Sequence, residues 1–225
     1  MFGYLIFMLP ALILSIYAQA RVSSNFKRYS QVRNHRGISG AEAARILLGN
    51  NGIGGVRIEP VRGSLSDHYD PRDRTLRLSE SVYGNASIAA IGVAAHEVGH
   101  AIQHNQHYGP LELRHAIVPV TNFASGASWV VLLLGFWLQM TNLVFLGIGL
   151  FSIVVLFHIV TLPVELNASH RAVVQLSEAG LISEDERPMV KKVLSAAALT
   201  YVAAALSSVA NLLWYLMIFS GGSDE

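Results

Sequence analysis

Ala94-Ala95-His96-Glu97-Val98-Gly99-His100-Ala101-Ile102-Gln103-His104 is the stretch on which the reading of the whole chain turns. On a helix, His96 and His100 project from one face, one turn apart, and can bind the same zinc ion. Glu97 then stands beside the fourth position of the metal, where it can take the proton of an attacking water. A short pattern of this kind also occurs on ordinary amphipathic helices whose His and Glu are solvated. Here, however, residues 88–95 form a nearly uncharged apolar run that leads straight into His96. Burying two histidines and a glutamate at the end of such a run is costly unless something compensates, and a metal does so.

The surroundings of the motif have the composition of a membrane protein. Hydrophobic residues make up 52% of the chain and charged residues only 14%, against about 25% charged in an ordinary soluble domain. Four stretches, residues 2–20, 117–138, 143–162 and 196–219, are long and apolar enough to cross a bilayer, which takes about 20 residues of helix. The last is rich in Ala and Ser, as in a helix packed closely on its neighbours, and Trp214-Tyr215 near its end suits an aromatic interfacial anchor. The alternative for that stretch is a buried soluble helix. Ala18-Gln19-Ala20 resembles a signal-peptidase site, but no basic residue precedes the apolar run and Arg21, Lys27 and Arg28 follow it. An uncleaved anchor fits that order better.

Every Lys and Arg falls between the first and second spans or between the third and fourth. The turn 139–142 and the tail 221–225 have none. The positive-inside rule then expects both large loops in the cytoplasm and both termini outside. The loops can therefore contribute to one site. Net charge is +1, which gives no general case for nucleic acid, and the absence of cysteine leaves only His and carboxylates to hold zinc.

The first loop reads as a small α+β unit. Ser39-Gly40-Ala41-Glu42 is a capping box opening a helix to about Leu48. Residues 56–59 and 65–69 alternate as strands do, Asp70-Pro71-Arg72-Asp73 reads as a turn, and residues 75–78 as the returning strand. A helix over 86–104 carries the zinc motif. The fold expected is mainly α: a polytopic membrane protein of four transmembrane helices with a small α+β zincin-like cytoplasmic domain. Its divisions are a first span at 1–20, the zincin-like unit at 21–115, the second and third spans within 116–166, a cytoplasmic helical segment at 167–194, and the last span at 195–220.

A catalytic zinc needs a third protein ligand and an open position. The metzincin pattern fails, because Gln103 and Gln106 stand where it needs glycine and histidine. His104 shares a face with His100 but lies about 12 Å along the helix from His96 at 1.5 Å per residue. Glu165, in Leu162-Pro163-Val164-Glu165-Leu166-Asn167-Ala168-Ser169-His170-Arg171, is the stronger candidate. An acidic residue at the end of a spanning segment is expensive without a task. Pro163 suits the first turn of a helix that presents Glu165 and Ser169 on one face. The alternative is an interfacial glutamate that reaches water or pairs with Arg171. For the oxyanion, besides the metal, His170, Arg171, His68 and Tyr69 are candidates that sequence does not rank. The segment 66–71 could pair with an extended substrate by strand addition, or its polar residues could merely cap their own turn; both readings stand.

Residues 65–71, 94–103, 162–168 and 196–204 together resemble the YugP-like family of bacterial membrane neutral zinc metallopeptidases, over nearly the whole chain and in the same order. The later Glu-x-x-Ala block also resembles the third-ligand region of HtpX-like and CAAX-prenyl proteases. That resemblance implies a ligand role for Glu165 and a general-base role for Glu97. It also carries two departures. HtpX-like enzymes usually have Asp four residues after the ligand glutamate, orienting a zinc-bound histidine, where this chain has Ser169. YugP-like sequences often read Glu-Phe-Asp-Ala-Ser, where this chain has Asn167 in place of the Asp.

The function expected is a zinc metalloendopeptidase of the gluzincin pattern, with one catalytic zinc held by His96, His100 and Glu165. Its site would face the cytoplasm of a cell-membrane protein, with protein or peptide substrates that are membrane-associated or misfolded. Two other classes remain. A site-2-type intramembrane protease places its motif inside a spanning helix, whereas the lead 88–95 is too short to span. A non-catalytic, zinc-stabilised scaffold or adaptor would need a closed four-ligand site. The expected partners are substrate and lipid bilayer, with self-association or a membrane protein partner left open.

Overall fold

The computed structural model describes residues 2–220; Met1 and the tail 221–225, whose lack of basic residues entered the orientation argument, lie outside the described residues. Four long apolar helices frame the molecule: α1 (Phe2–Tyr29), α5 (Gly109–Trp137), α6 (Thr141–Glu178) and α7 (Arg187–Ser220). Each is long and apolar enough to cross a membrane, yet only 11% to 22% of its most apolar stretch is buried inside the protein. The rest faces outward, with Ile13, Phe123, Trp137 and Leu156 all exposed. Large apolar surfaces turned outward on four helices at once suit lipid as the solvent.

Between the first two long helices lies the small α+β unit: α2 (Gly40–Asn50), β1 (Arg57–Val61), β2 (His68–Asp70), β3 (Thr75–Ser79), α3 (Glu80–Tyr83) and α4 (Ile88–Asn105). The capping box forms as the sequence expects. Ser39 N–H donates to Glu42 Oε2 at 2.7 Å, and Glu42 N–H donates to Ser39 Oγ at 3.3 Å. β2 and β3 pair antiparallel across the Asp70–Asp73 turn, with Tyr69 opposite Leu76. The parallel pairing of β1 with β3 was not expected, and it gives the sheet order β1-β3-β2. β2 is therefore an edge strand, and it packs beside α4.

The uncharged run that opens α4 explains its position. Ala89, Ile91, Ala94 and Val98 are fully or almost fully buried. They share one core with Leu47 of α2, Leu76 and Leu78 of β3, Leu176 of α6 and Val190 of α7. A helix with no charge in its first two turns can be surrounded on all sides; an amphipathic one cannot.

α6 differs from expectation. A break was expected at Pro163, with a new helix starting there, but α6 runs unbroken from Thr141 to Glu178. A proline inside a helix removes one backbone donor and either kinks the helix or ends it. Here Val164, Ala168, Ala172 and Leu176, all buried, hold the following turns against the core. At about 57 Å the helix is much longer than the bilayer's apolar core of about 30 Å. Its C-terminal part carries Glu165 to Ser169 up to α4.

α1 and α7 pack side by side. Tyr4 Oη donates to Asn211 Oδ1 at 2.8 Å, and the Tyr4 and Phe7 rings each stand 5.5 Å from that of Trp214. Trp214 thus serves the helix pair as well as the end of the span. A clasp joins the first loop to the start of α7. Glu186 accepts from the His35 N–H at 2.7 Å, meets the His35 ring at 2.7 Å and accepts from the Ser183 N–H at 2.9 Å. Burial alone would raise the Glu186 carboxyl; the hydrogen bonds from Ser183 and His35 outweigh it and hold the group below its ordinary range.

Candidate metal centre

Helical spacing brings the His96 and His100 rings to 4.8 Å between centroids, nearly perpendicular at 86°. α6 crosses α4 at this point. Gly99 makes the crossing possible, since a Cβ there would lie 2.7 Å from the carbonyl oxygen of Ala168. The close approach delivers Glu165 to the histidines. Its Oε2 lies 3.3 Å from His96 Nε2 and 3.6 Å from His100 Nε2, and the three side chains are only 14%, 12% and 3% exposed.

Whether these residues fit a metal is decided by one atom. Glu165 Oε2 is fully shielded from solvent and has no hydrogen-bond partner. A buried carboxylate oxygen in that state is costly unless a cation satisfies it. Zinc bonds of about 2.0–2.2 Å to nitrogen and oxygen place tetrahedral ligand atoms about 3.4 Å apart. The two separations from Glu165 Oε2 bracket that value. The donor set of two imidazoles and one carboxylate suits zinc, and these three residues could hold an ion.

The remaining ring nitrogens are engaged in a way that leaves Nε2 free. Gln103, fully buried, donates from Nε2 to the Val164 carbonyl and to Asn167 Oδ1, each at 2.9 Å. Its Oε1 must then face His100 Nδ1, at 3.0 Å. In the neutral imidazole this network places the proton on Nδ1 and the lone pair on Nε2, as a metal ligand requires. His96 Nδ1 meets Ser169 Oγ at 3.1 Å. Asn167 Oδ1 also accepts from Arg171 Nε at 2.7 Å. Asn167 and Ser169 thus both take part in orienting the histidines. Arg114 of α5 donates to the other oxygen of Glu165 at 3.2 Å.

Glu97, 8% exposed, makes no hydrogen bond to another described residue and lines two cavities. One, of 210 Å³, lies between β2 and α5 and is bounded by His68, Tyr69, Arg114 and His115. The other, of 270 Å³, lies among α1, α4 and α7 and is bounded by Gln19, Phe26, Val193 and Ala197. His96, Glu97, Asp67 and Tyr201 line both. Burial raises the Asp67 carboxyl, although Ser79 donates to it from its N–H at 2.7 Å and its hydroxyl at 3.0 Å.

The other sequence candidates separate. His68 is on the cavity wall, with its Nδ1 on the Ser66 carbonyl at 2.8 Å. Tyr69 is there too, its hydroxyl 2.9 Å from His104 Nδ1, which gives His104 its role away from the metal site. Arg171 is committed to Asn167, to Gln106 Oε1 at 2.7 Å and to the face of the Tyr108 ring. It does not pair with Glu165. His170 is exposed and faces a different cavity, between α6 and α7. Sequence reasoning missed Gln103, Arg114 and Tyr201. Arg114 carried a signal, a basic residue just before a span; Gln103 and Tyr201 carried none outside the three-dimensional arrangement.

Over residues 4–220 the chain matches the family described as "Putative neutral zinc metallopeptidase". It is 55% identical over 217 residues, covering 96% of each chain, to the protein of Bacillus subtilis (strain 168) named "Putative membrane protease YugP". No solved structure matches it.

Proposed function

The chain belongs to that family of neutral zinc metallopeptidases of the membrane, and on this premise we propose that His96, His100 and Glu165 hold one catalytic zinc ion while Glu97 serves as general base in peptide-bond hydrolysis. The observation that carries the proposal is the buried Glu165 Oε2, which makes no hydrogen bond and faces two imidazole Nε2 atoms. Zinc, when bound, supplies a Lewis acid that makes water nucleophilic near neutral pH and polarises a peptide carbonyl. Glu97, with no competing hydrogen bond, takes the proton of the attacking water and passes it to the leaving amine. Ser169 and Gln103 keep both imidazoles turned with Nε2 inward. Arg114 neutralises part of the buried charge of Glu165. Of the four oxyanion candidates, His68 and Tyr69 are the two on the cavity wall, and Tyr201 joins them there.

Glu97 lines both cavities, so an extended peptide occupying both would place its scissile bond beside the base. The edge strand β2 flanks this path and offers backbone pairing to the substrate. One cavity is walled by Gln19 and Ala197, near the ends of two apolar stretches. That position favours membrane-associated or partly unfolded proteins as substrates. All sixteen Lys and Arg lie in the two large loops, which supports a cytoplasm-facing site with both termini outside. In this scheme residues 1–20, 116–166 and 195–220 anchor the protein, and 21–115 with 167–194 form the catalytic unit, to which Glu165 adds the third ligand from the end of the third span. α4 is not among the helices apolar and long enough to span, which weighs against a site-2-type arrangement. Three donors beside a free glutamate weigh against a closed structural site.

Replacing Glu97 by Gln keeps shape and removes the base. The variant is expected to bind zinc as the wild type does and to lose proteolysis of an unfolded protein substrate by about 10²- to 10⁴-fold. Zinc retained with undiminished turnover, in purified protein free of other proteases, would remove Glu97 from this role.

A further inference from the structure

Away from the metal centre, α6 and α7 enclose a groove of 510 Å³ that the peptidase chemistry does not use. Its lining is apolar over much of its length, with Val173, Val174, Leu194 and Ala198, and carries lysine and arginine at one end only. Leu166, Leu199 and Val202 line one end, and Arg187, Lys191 and Lys192 line the other. From Val202 to Arg187 is about 22 Å along α7 at 1.5 Å per residue. The apolar end lies where the hydropathic part of α7 begins, and the cationic end lies toward the connection 179–186. Both lysines are exposed, and neither has an acidic partner among the described residues. Arg187 Nε is shielded from solvent and has no hydrogen-bond partner. Its Nη1 reaches only Glu184, at 3.8 Å, and Glu184 is 87% exposed.

We propose that this groove binds one anionic phospholipid, with acyl chain along Leu166, Leu199 and Val202 and phosphate at Arg187, Lys191 and Lys192. Three cations at a bilayer boundary attract an anionic headgroup, and a basic pocket between spanning helices at a membrane face is the usual form of such a site. The apolar end separates this ligand from a free phosphate, which has no use for it. The charge separates it from a zwitterionic lipid, which leaves three cations uncompensated. The groove also touches the metal centre through one residue. Ser169 lines it, and the Ser169 hydroxyl holds His96 Nδ1. A lipid seated there packs against a residue that orients a proposed zinc ligand.

The test needs no peptidase activity. The full-length protein, in micelles containing equal phosphatidylglycerol and phosphatidylcholine, is examined by native mass spectrometry. Phosphatidylglycerol is expected to stay bound in clear preference. The triple variant R187Q/K191Q/K192Q is expected to lose that retention about tenfold or more, while K27Q/R28Q, at the end of α1, keeps it. Should the triple variant not purify, K191Q/K192Q is read in the same way, since both lysines are exposed. Excess glycerol phosphate is expected not to displace the lipid. Equal retention of both lipids, undiminished retention by the charge variants, equal loss in K27Q/R28Q, or displacement by glycerol phosphate would each overturn the proposal.

Discussion

Gln103 shows what a single residue does at this site. It is fully buried, polar, and fixed by three hydrogen bonds, of which two go to α6 and one to a proposed ligand. Because both of its α6 partners are acceptors, its amide orientation is determined, and with it the tautomer of His100. Gln103→Leu keeps much of the volume and removes that control. Zinc affinity, measured by competition with a chelator, is expected to fall about 10- to 100-fold. A variant that holds zinc as tightly as the wild type would show that His100 needs no such orientation. Sequence made the three ligand candidates visible for different reasons. His96 and His100 announce themselves by spacing on one helix. Glu165 does so by the cost of an acid at the end of a span. Gln103 is silent, because its role depends on Val164 and Asn167, more than sixty residues away along the chain.

At the scale of elements, the site is a crossing of two helices. α4 carries the two histidines and Glu97; α6 carries Glu165, Asn167 and Ser169. Gly99 sets their separation, since Ala168 backbone atoms lie 2.7 Å and 3.1 Å from where a Cβ would be. Backbone cannot step aside as a flexible side chain can. Gly99→Ala is therefore expected to cost about 1–3 kcal/mol through overpacking, in spite of alanine's better helix propensity. It should also draw Glu165 away from the histidines. Thermal unfolding in detergent is expected to shift down, with zinc content falling alongside; an unshifted transition at full zinc content would refute the tight crossing. The elements themselves were mostly readable from local rules. The capping box, the hairpin of β2 and β3, and α4 follow from nearby residues. The unbroken path of α6 through Pro163 did not, because burial of the turns after it against the core outweighs the local signal for a break.

For the whole molecule, hydropathy marks the four apolar helices clearly, since the bilayer's thickness imposes a length that few soluble helices combine with so little charge. What hydropathy does not reveal is how the small α+β unit is held. Its core continues into α6 and α7 through Leu176 and Val190, and the His35–Glu186 clasp ties its first residues to the start of α7. The parallel pairing of β1 with β3 was equally hidden, because pairing partners across a sheet leave no periodic trace in one chain. These ties bring the motif helix and the third proposed ligand into one packed frame, although two proposed membrane spans separate them in sequence.

The central claim is that a glutamate beyond the third apolar stretch completes a zinc site begun by the His96–His100 helix. Elemental analysis of purified Glu165→Ala beside the wild type tests it most directly, with circular dichroism to confirm that both are folded. The wild type is expected to carry a full complement of zinc, and the folded variant to have lost most of it. Full zinc occupancy in a folded Glu165→Ala protein would contradict the account.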